Sequence, residues 1–322
     1  MPKKVICAIS GGVDSAVAAA LLKKQGFNVE GVFFKLADTN NFQAGEKRAR
    51  KVAKILKIPF CILDLRKQFK KEVIDYFIKE YQAGRTPNPC VVCNKRIKFD
   101  WLLKLGADLV ATGHYAKTYN GKLFRAKDKN KDQSYFLWQL SQKQLKRILF
   151  PLGDYSKKEV RIMAKKLNLP VFEAPESQEI CFKVPKIKQK PGVIIDVQGK
   201  VLGKHQGLIF HTVGQRKGIG LPGGPFWVLD KDLKRNVLIV TDHEKDLLKK
   251  ELSFKNVNWI SDMKPKLPLR VKAKIRYRHK SAAGIIKKDN KFIFNQPQRA
   301  ITPGQSIVFY RDQELLGGAI ID

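Results

Sequence analysis

The sequence predicts an α/β fold class: an N-terminal doubly wound parallel sheet, then a small central domain, then a C-terminal antiparallel β-barrel. Three observations carry this expectation. Short apolar runs alternate with amphipathic helical patterns through the first half of the chain. A Lys- and Pro-bearing break, "PKIKQKPGVIID" (185–196), interrupts it. Beyond a glycine-rich stretch, short strand-like runs then follow one another to the C-terminus. The expected domains are therefore 1–187, 188–248 and 249–322.

The elements can be justified in order. The apolar run 5–9 reads as a strand that ends at a glycine pair. Val13, Val17, Leu21 and Leu22 then recur at helical spacing, with Lys23 and Lys24 in the last turn and Gly26 as a stop. "VEGVFFKL" is a second strand, and Ala49, Val52, Ala53 and Leu56 are one face of a second helix. "FCILDL" reads as a third, buried strand. Phe69, Val73, Ile74, Phe77, Ile78 and Tyr81 mark a third helix, and "DLVATGHY" a fourth strand. Cys7 and Cys61 fall inside strands and read as core residues. In such sheets ligands bind beyond the carboxyl ends of the strands, where "SGGVDS" and "ATGHY" lie. In the last third, "VKAKIRYRHK" alternates Val271, Ala273, Ile275 and Tyr277 with Lys272, Lys274, Arg276 and Arg278, which predicts one core face and one cationic face. "AGIIKK", "KFIFN", "SIVFY" and "LLGGAIID" are further strands of the barrel.

Lys and Arg total 63 against 29 Asp and Glu, a formal charge of +34. A polyanion partner would relieve that self-repulsion, with nucleic acid the first candidate. No run approaches the roughly 18 apolar residues of a membrane span, and no signal peptide is visible. The expectation is a cytoplasmic protein with no membrane partner, in which stable disulfides are not expected and paired cysteines point to metal, redox or sulfur chemistry.

"AISGGVDS" is strand, glycine turn and helix start. Gly11 and Gly12 let the backbone approach a ligand, the amides beyond them point at a bound anion, and Ser10 and Ser15 add hydroxyl donors. The loop has no G-x-x-x-x-G-K-[ST] pattern and no lysine of its own. Asp14 would repel a phosphate; it makes sense if it holds Mg²⁺ or caps the helix. Cys90 and Cys93 form a C-x-x-C in "NPCVVCN", where Pro87 and Pro89 predict a loop. Three readings stay open for it: half a zinc site, a thioredoxin-like redox pair, or part of a sulfur-transfer centre.

The loop resembles the PP-loop of the ATP pyrophosphatases, whose fold is adenine nucleotide α-hydrolase-like. "RTPNPCVVCNKRIKF", "LVATGHYAK", "KDQSYFL", "SQEICF", "HTVGQRKGIG" and "RAITPGQSIVFY" together resemble, in order, segments of the bacterial tRNA 2-thiouridylases. The resemblance implies ATP-dependent thiolation of a wobble uridine, with AMP placed on the uracil 2-oxygen before sulfur arrives. It implies an ATP site, with Mg²⁺, formed by Ala8, Ile9, Ser10, Gly11, Gly12, Val13, Asp14 and Ser15 together with Phe34 and Gly113. Phe34 stands where relatives commonly carry methionine. It implies Cys93 as nucleophile, Cys181 as persulfide carrier, and Asp14 among the catalytic groups. Asn88, Pro89 and Cys90 would face the target base; His114, Lys131, Asp132, Gln133, Arg276, Tyr277 and Gln305 would contact tRNA. Cys90 replaces an Asp found in some members, so a [4Fe–4S] cluster on Cys90, Cys93 and Cys181 stands beside the persulfide relay as a second mechanism. Lys95 and Arg96 beside Cys93, and Lys183 beside Cys181, would lower the thiol pKa values. A sulfur-relay protein or cysteine desulfurase would be the donor. The segments 98–110 and 181–192 are shorter than usual. Rival readings are another PP-loop tRNA-modifying ligase, of the lysidine synthetase kind, and a non-catalytic RNA-binding protein.

Overall fold

The computed structural model describes residues 1–172, 181, 182, 184 and 190–322. The sequence expectations for the start of "SQEICF", for Lys183 and for the break before the central domain therefore fall largely outside the described residues.

The N-terminal half builds β1 (Lys4–Ala8), α1 (Val13–Lys24), β2 (Asn28–Lys35), α2 (Asn40–Leu56) and β3 (Phe60–Asp64). A long helix, α3, follows in three parts: Arg66–Phe69, a π-helical stretch Lys70–Ile74, and Asp75–Gln82. Its successor, α4, has the same form: Pro89–Val92, a π-helical stretch Cys93–Phe99, and Asp100–Leu102. Then come β4 (Leu109–Ala111), the hairpin β5 (Lys117–Tyr119) and β6 (Lys122–Phe124), the short helix α5 (Gln142–Leu145), β7 (Ile148–Leu149) and α6 (Lys157–Lys166).

The parallel sheet runs in the order β3-β2-β1-β4-β7. Strands are added outward from β1 first on one side and then, from β4, on the other; β4 pairs parallel to β1 in register Val5 to Leu109 and Cys7 to Ala111. That is the switch point at which such sheets open a crevice. One face packs Val13, Val17 and Leu22 of α1 with Val52 of α2 and Val160 of α6; the other packs Phe69, Val73 and Phe77 of α3 with Ile97 and Phe99 of α4. The doubly wound expectation holds.

The central unit is a four-stranded sheet of β8 (Gly192–Ile195), β9 (Val201–His205), β10 (Trp227–Asp232) and β11 (Val237–Thr241), ordered β10-β11-β8-β9 around Ile194, Val228, Leu238 and Val240. The C-terminal strands are β12 (Leu248–Trp259), β13 (Leu269–Lys274), β14 (Ala282–Ile286), β15 (Lys291–Arg299), β16 (Ser306–Arg311) and β17 (Glu314–Ile321). Pairing of β12 with both β15 and β17 closes them into a six-stranded barrel around Phe254, Phe292, Phe294 and Phe309. The β5–β6 hairpin of the first unit adds to β17, opposing Leu123 with Leu315. Trp138 and Tyr135 reach the barrel at Ser306, through Nε1 to Oγ (2.9 Å) and through the hydroxyl to the carbonyl (2.9 Å).

Four local expectations need correction. β3 is an edge strand, so one flank lacks a neighbour, and Cys61 is exposed rather than core; Cys7, in central β1, is fully buried. The fourth strand stops at Ala111, and Thr112–Tyr115 leave the sheet. "NPCVVCN" is not a loop: Asn88 precedes the helix and Pro89 occupies its first turn, where a missing N–H costs nothing. "VKAKIRYRHK" is strand only to Lys274 and then turns, so the alternation fails. Lys274 is buried, and Arg276 points inward to the carbonyls of Val213 (2.9 Å) and Ala300 (3.1 Å); Lys272 and Arg278 remain exposed. Among the described residues, no helix is long and apolar enough to cross a membrane.

Candidate active site

The glycine loop lies at the switch point, between β1 and the start of α1. Gly11 has φ +78°, and a Cβ there would lie 2.1 Å from the Gly45 carbonyl oxygen, so only glycine lets α2 close on the loop. Arg48 Nε donates to the Gly11 carbonyl (2.9 Å). The Ser10 amide donates to Ser15 Oγ (3.0 Å), whose hydroxyl donates to the Gly12 carbonyl (3.1 Å). The hydroxyls thus brace the turn, and the N-terminal amides of α1 face outward. Ile9 and Val13 are buried, so only their backbones, with that of Ala8, border the cradle. Gly113 packs against its far wall, and Phe34 closes the carboxyl end of β2 from the core side.

Asp14 does not cap α1: the capping position is Gly12, and no side chain caps it. Its carboxylate instead takes the Lys157 ammonium at 2.7 and 2.8 Å and the Tyr115 hydroxyl at 2.8 Å. Both oxygens are thus engaged by a cation, and Asp14 as placed does not offer Mg²⁺ a ligand.

Cys90 and Cys93 lie one turn apart on α4. Cys93 is 7% exposed; Cys90 and Cys181 are exposed. The three thiols stand within electrostatic reach of one another, since Cys90 and Cys181 both act on Cys93 and Cys90 acts on Cys181. Phe182 anchors the Cys181 segment by edge contacts to Phe69 (5.8 Å) and Phe77 (5.3 Å), in the core that holds Cys93. Burial pushes the Cys93 thiol up to about 12, and the neighbouring thiols push the same way. Lys98 opposes this, and it acts also on Cys90, Cys181 and His114. The expected tuning by Lys95 and Arg96 is therefore corrected: a π-helical stretch closes i→i+5 bonds, which turns Lys98 rather than a nearer cation toward Cys93. No three His, Cys, Asp or Glu side chains among the described residues gather around one point, so the thiols do not form a ready-made cluster nest.

Comparison with known proteins fits this geometry. Family models match three successive stretches: the tRNA methyl transferase HUP domain over residues 3–185, the tRNA methyl transferase PRC-barrel domain over 184–242, and the aminomethyltransferase β-barrel domain over 249–321. The tRNA-specific 2-thiouridylase MnmA 2 of Thermoanaerobacter sp. (strain X514) is 46% identical over 356 residues, covering 99% of this chain and 98% of the relative. That of Clostridioides difficile (strain 630) is 44% identical over 357 residues, covering 100% and 99%. The chain belongs to the tRNA-specific 2-thiouridylase family. The U34-tRNA thiolase NcsA from Methanococcus maripaludis, with its [4Fe–4S] cluster, overlaps only loosely: 20% identity, 55% of this chain, 61% of that one and a TM-score of 0.39.

The remaining thiouridylase positions divide by burial. His114 is buried; Thr112 Oγ1 lies 2.7 Å from its Nδ1, and burial first, then Lys98, holds its pKa well below the usual value, so the ring is neutral. Asp132 is 4% exposed, and its carboxylate accepts from the Ala126 amide (3.2 Å) and from the Ser134 amide and hydroxyl (both 3.1 Å), so its side chain holds the loop. Gln133 accepts from the Tyr115 amide (3.0 Å), and Lys131 beside it is partly exposed. Tyr277 packs against Phe136, with ring centroids 4.5 Å apart and planes tilted by 43°. Gln305 donates to the Thr86 carbonyl (2.8 Å), which ties the barrel to the stretch entering Asn88–Pro89–Cys90. In the basic loop, Gln215 is occupied by the Thr212 amide and the Lys217 carbonyl, and Arg216 and Lys217 are exposed. Sequence reasoning missed Lys98, Tyr115 and Lys157. A lysine at the start of a helix carries no signal by itself, and its partner Asp14 lies 143 positions away.

Proposed function

We propose that the chain performs ATP-dependent 2-thiolation of the wobble uridine in tRNA anticodons. The observation that carries this reading is that the cradle's far wall, Gly113, adjoins His114, and one cation, Lys98, reaches His114, Cys93 and Cys181 alike. The uracil 2-oxygen is a poor leaving group. Its attack on the α-phosphorus of ATP forms an O–P bond, breaks the bond to the β-phosphate and releases pyrophosphate. AMP on oxygen is then a good leaving group at C2. A persulfide on Cys181 supplies the sulfur: its outer sulfur attacks C2 and expels AMP, and Cys93 then attacks the Cys181 sulfur to free the thiouridine; or Cys93 attacks the inner sulfur first and releases sulfide, which attacks C2 and expels AMP. Either route leaves a Cys93–Cys181 disulfide for a reductant. Mg²⁺ bound to the ATP phosphates would supply charge neutralisation there.

Chemistry on the base requires that it leave the stack, and Asn88, Pro89 and Cys90 border the place it would enter. Lys131, His114, Arg276, Tyr277 and Gln305 would orient the tRNA around it. Sulfur would come from a relay protein or cysteine desulfurase, in the cytoplasm. A [4Fe–4S] cluster on Cys90, Cys93 and Cys181 is not favoured by the thiols as placed; iron uptake on anaerobic reconstitution would restore it as a second reading.

The deciding experiment is mass spectrometry of tRNA nucleosides after incubation with ATP and a sulfur source. Oxygen-to-sulfur exchange on uridine is expected, and is expected to vanish in Cys93→Ser and Cys181→Ser. Nucleosides unchanged in the wild-type reaction would refute the proposal.

A further inference from the structure

The polyphosphate cradle lacks the lysine that Walker-type loops carry at their own end. A cation nevertheless stands at its mouth, brought from elsewhere in the chain. Lys157 places its ammonium 2.7 and 2.8 Å from the two oxygens of Asp14, in the first turn of α1. Its backbone is fixed before any ligand arrives. Ser156 caps α6 in a reciprocal box with Glu159 (3.3 and 2.6 Å), and the Lys157 amide donates to Asp128 (3.0 Å). Its side chain is only 12% exposed, so little rotamer freedom remains to be lost. Tyr115, two residues past Gly113, holds Asp14 from the other wall. Arg48, the other cation at the loop, directs its Nε to the Gly11 carbonyl.

A stability role explains this poorly. A carboxylate at an anion site repels the ligand, so a pair kept for stability alone would not be placed here. The arrangement makes sense if Asp14 serves the lysine rather than a metal.

We infer that Lys157 is a catalytic residue of the adenylation half-reaction, its ammonium meeting the pyrophosphate leaving group, with Asp14 and Tyr115 as its positioning residues. The inference rests on the adenylation reading above. As the uracil 2-oxygen bonds to the α-phosphorus, the bond to the bridging oxygen breaks and its electron pair stays on pyrophosphate. The uracil N3 proton passes to solvent, and nothing is oxidised. A fixed cation where that charge appears stabilises the transition state more than the ground state.

The test is tRNA-dependent pyrophosphate release by the full-length chain with Lys157→Met, Lys157→Arg, Asp14→Asn and the double variant Asp14→Asn/Lys157→Met. Lys157→Met is expected to lower kcat by about 10²- to 10³-fold, the scale of losing one transition-state donor. Its KM for ATP should change far less, and Lys157→Arg should recover most of kcat. Inorganic pyrophosphate should inhibit Lys157→Met at least about tenfold more weakly than wild type, with inhibition by AMP unchanged, since the lost contact is to the leaving group. The double variant separates the roles. If Lys157 only neutralised Asp14, removing both would restore activity to the Asp14→Asn level, and that outcome would overturn the inference; a double variant no better than Lys157→Met supports it. A raised Mg²⁺ requirement in Asp14→Asn but not in Lys157→Met would assign Asp14 to the metal and also overturn it. Absence of pyrophosphate release in the wild type would instead remove the adenylation reading on which the inference stands.

Discussion

Gly113→Ala places one methyl group where the two walls of the ATP cradle meet. The added Cβ would lie 2.6 Å from the Ser15 amide nitrogen and 2.7 Å from the Asp14 carbonyl carbon. Ordinary contact begins at 3.4 Å, so the end of β4 and the start of α1 must part by about 0.8 Å. All three close atoms are backbone, so no side-chain rotation relieves the contact. The displaced amide is one that would grip phosphate, and a misplacement of about 1 Å at a reacting centre costs on the order of 10²-fold. The expected loss in kcat/KM for ATP is therefore about 50- to 100-fold, or some 2–3 kcal/mol of transition-state stabilisation. Pyrophosphate release with saturating tRNA reads the rate, and calorimetric titration with ATP reads the affinity. Gly12→Ala is the internal comparison for folding: its Cβ would meet only Ser10 Oγ, at an ordinary 3.6 Å. Near-wild-type kcat/KM in Gly113→Ala would show that the walls are compliant, and would refute the argument that the strand end fixes the cradle.

Three further outcomes are expected. Cys93, with its thiol pushed up to about 12, should react with iodoacetamide at pH 8 on the order of 10³-fold slower than a free cysteine of pKa about 8.5; because the folded value is raised, the stability linked to this thiol is complete below the unfolded value and is lost as pH rises through about 12, and equal alkylation rates in folded and unfolded chain would contradict the burial. The exposed cations Arg216, Lys217, Lys272, Arg278 and Lys280 give roughly five phosphate contacts, so log K for tRNA should fall against log salt with a slope near −4, checked by filter binding at several salt concentrations. Trp138→Ala, at a site 1% exposed against Gly318 and Ser306, should cost about 3–5 kcal/mol in denaturant unfolding and should loosen the barrel first, read as earlier proteolysis of residues 249–322.

Much of the fold was legible because hydrophobic period tracks burial wherever an element packs on one or two regular faces. The strand-helix alternation through Leu65, the glycine loop and the barrel strands 282–321 were readable in this way. Reading failed where packing departs from a regular period. "FCILDL" is apolar enough for a central strand, yet sequence does not reveal which strand ends a sheet. In "VKAKIRYRHK" the alternation runs past the last ladder bond, and the barrel draws Lys274 and Arg276 inward at the turn. Two prolines near Cys90 suggested a loop, although proline at a helix's first turn is as favourable as in a loop. At the site, residue types and spacing marked Ser10–Ser15 and the Cys90–Cys93 pair, and the resemblance to the thiouridylases singled out Cys93 and Cys181. The groups that set their environment were hidden: Lys98 depends on a π-helical register, and Lys157 on a contact closed by the fold.

The two halves of the proposed reaction are braced by different parts of the molecule. Arg48, Gly45 and Gly113 fix the ATP cradle, and all belong to the first unit. The entry to the Cys90–Cys93 helix is held from the barrel. The Thr86 amide donates to the Pro303 carbonyl (2.9 Å), Gln305 donates to the Thr86 carbonyl (2.8 Å), and the Gly304 Cα is packed so tightly that a Cβ would meet Thr86 N at 3.0 Å. The central unit touches the same residue through Thr212 (3.4 Å), and Arg276 bridges that unit to the barrel. A polyanion lying across the exposed cations of the barrel and central loop therefore presses on residues two positions from Asn88, and not on the glycine loop. Changes at Thr86, Gln305 or Arg276 should act on sulfur transfer and on tRNA affinity while leaving ATP affinity nearly intact, the reverse of the pattern for Gly113. This division gives the barrel a role beyond adding cationic area: it holds the start of the thiol-bearing helix in place.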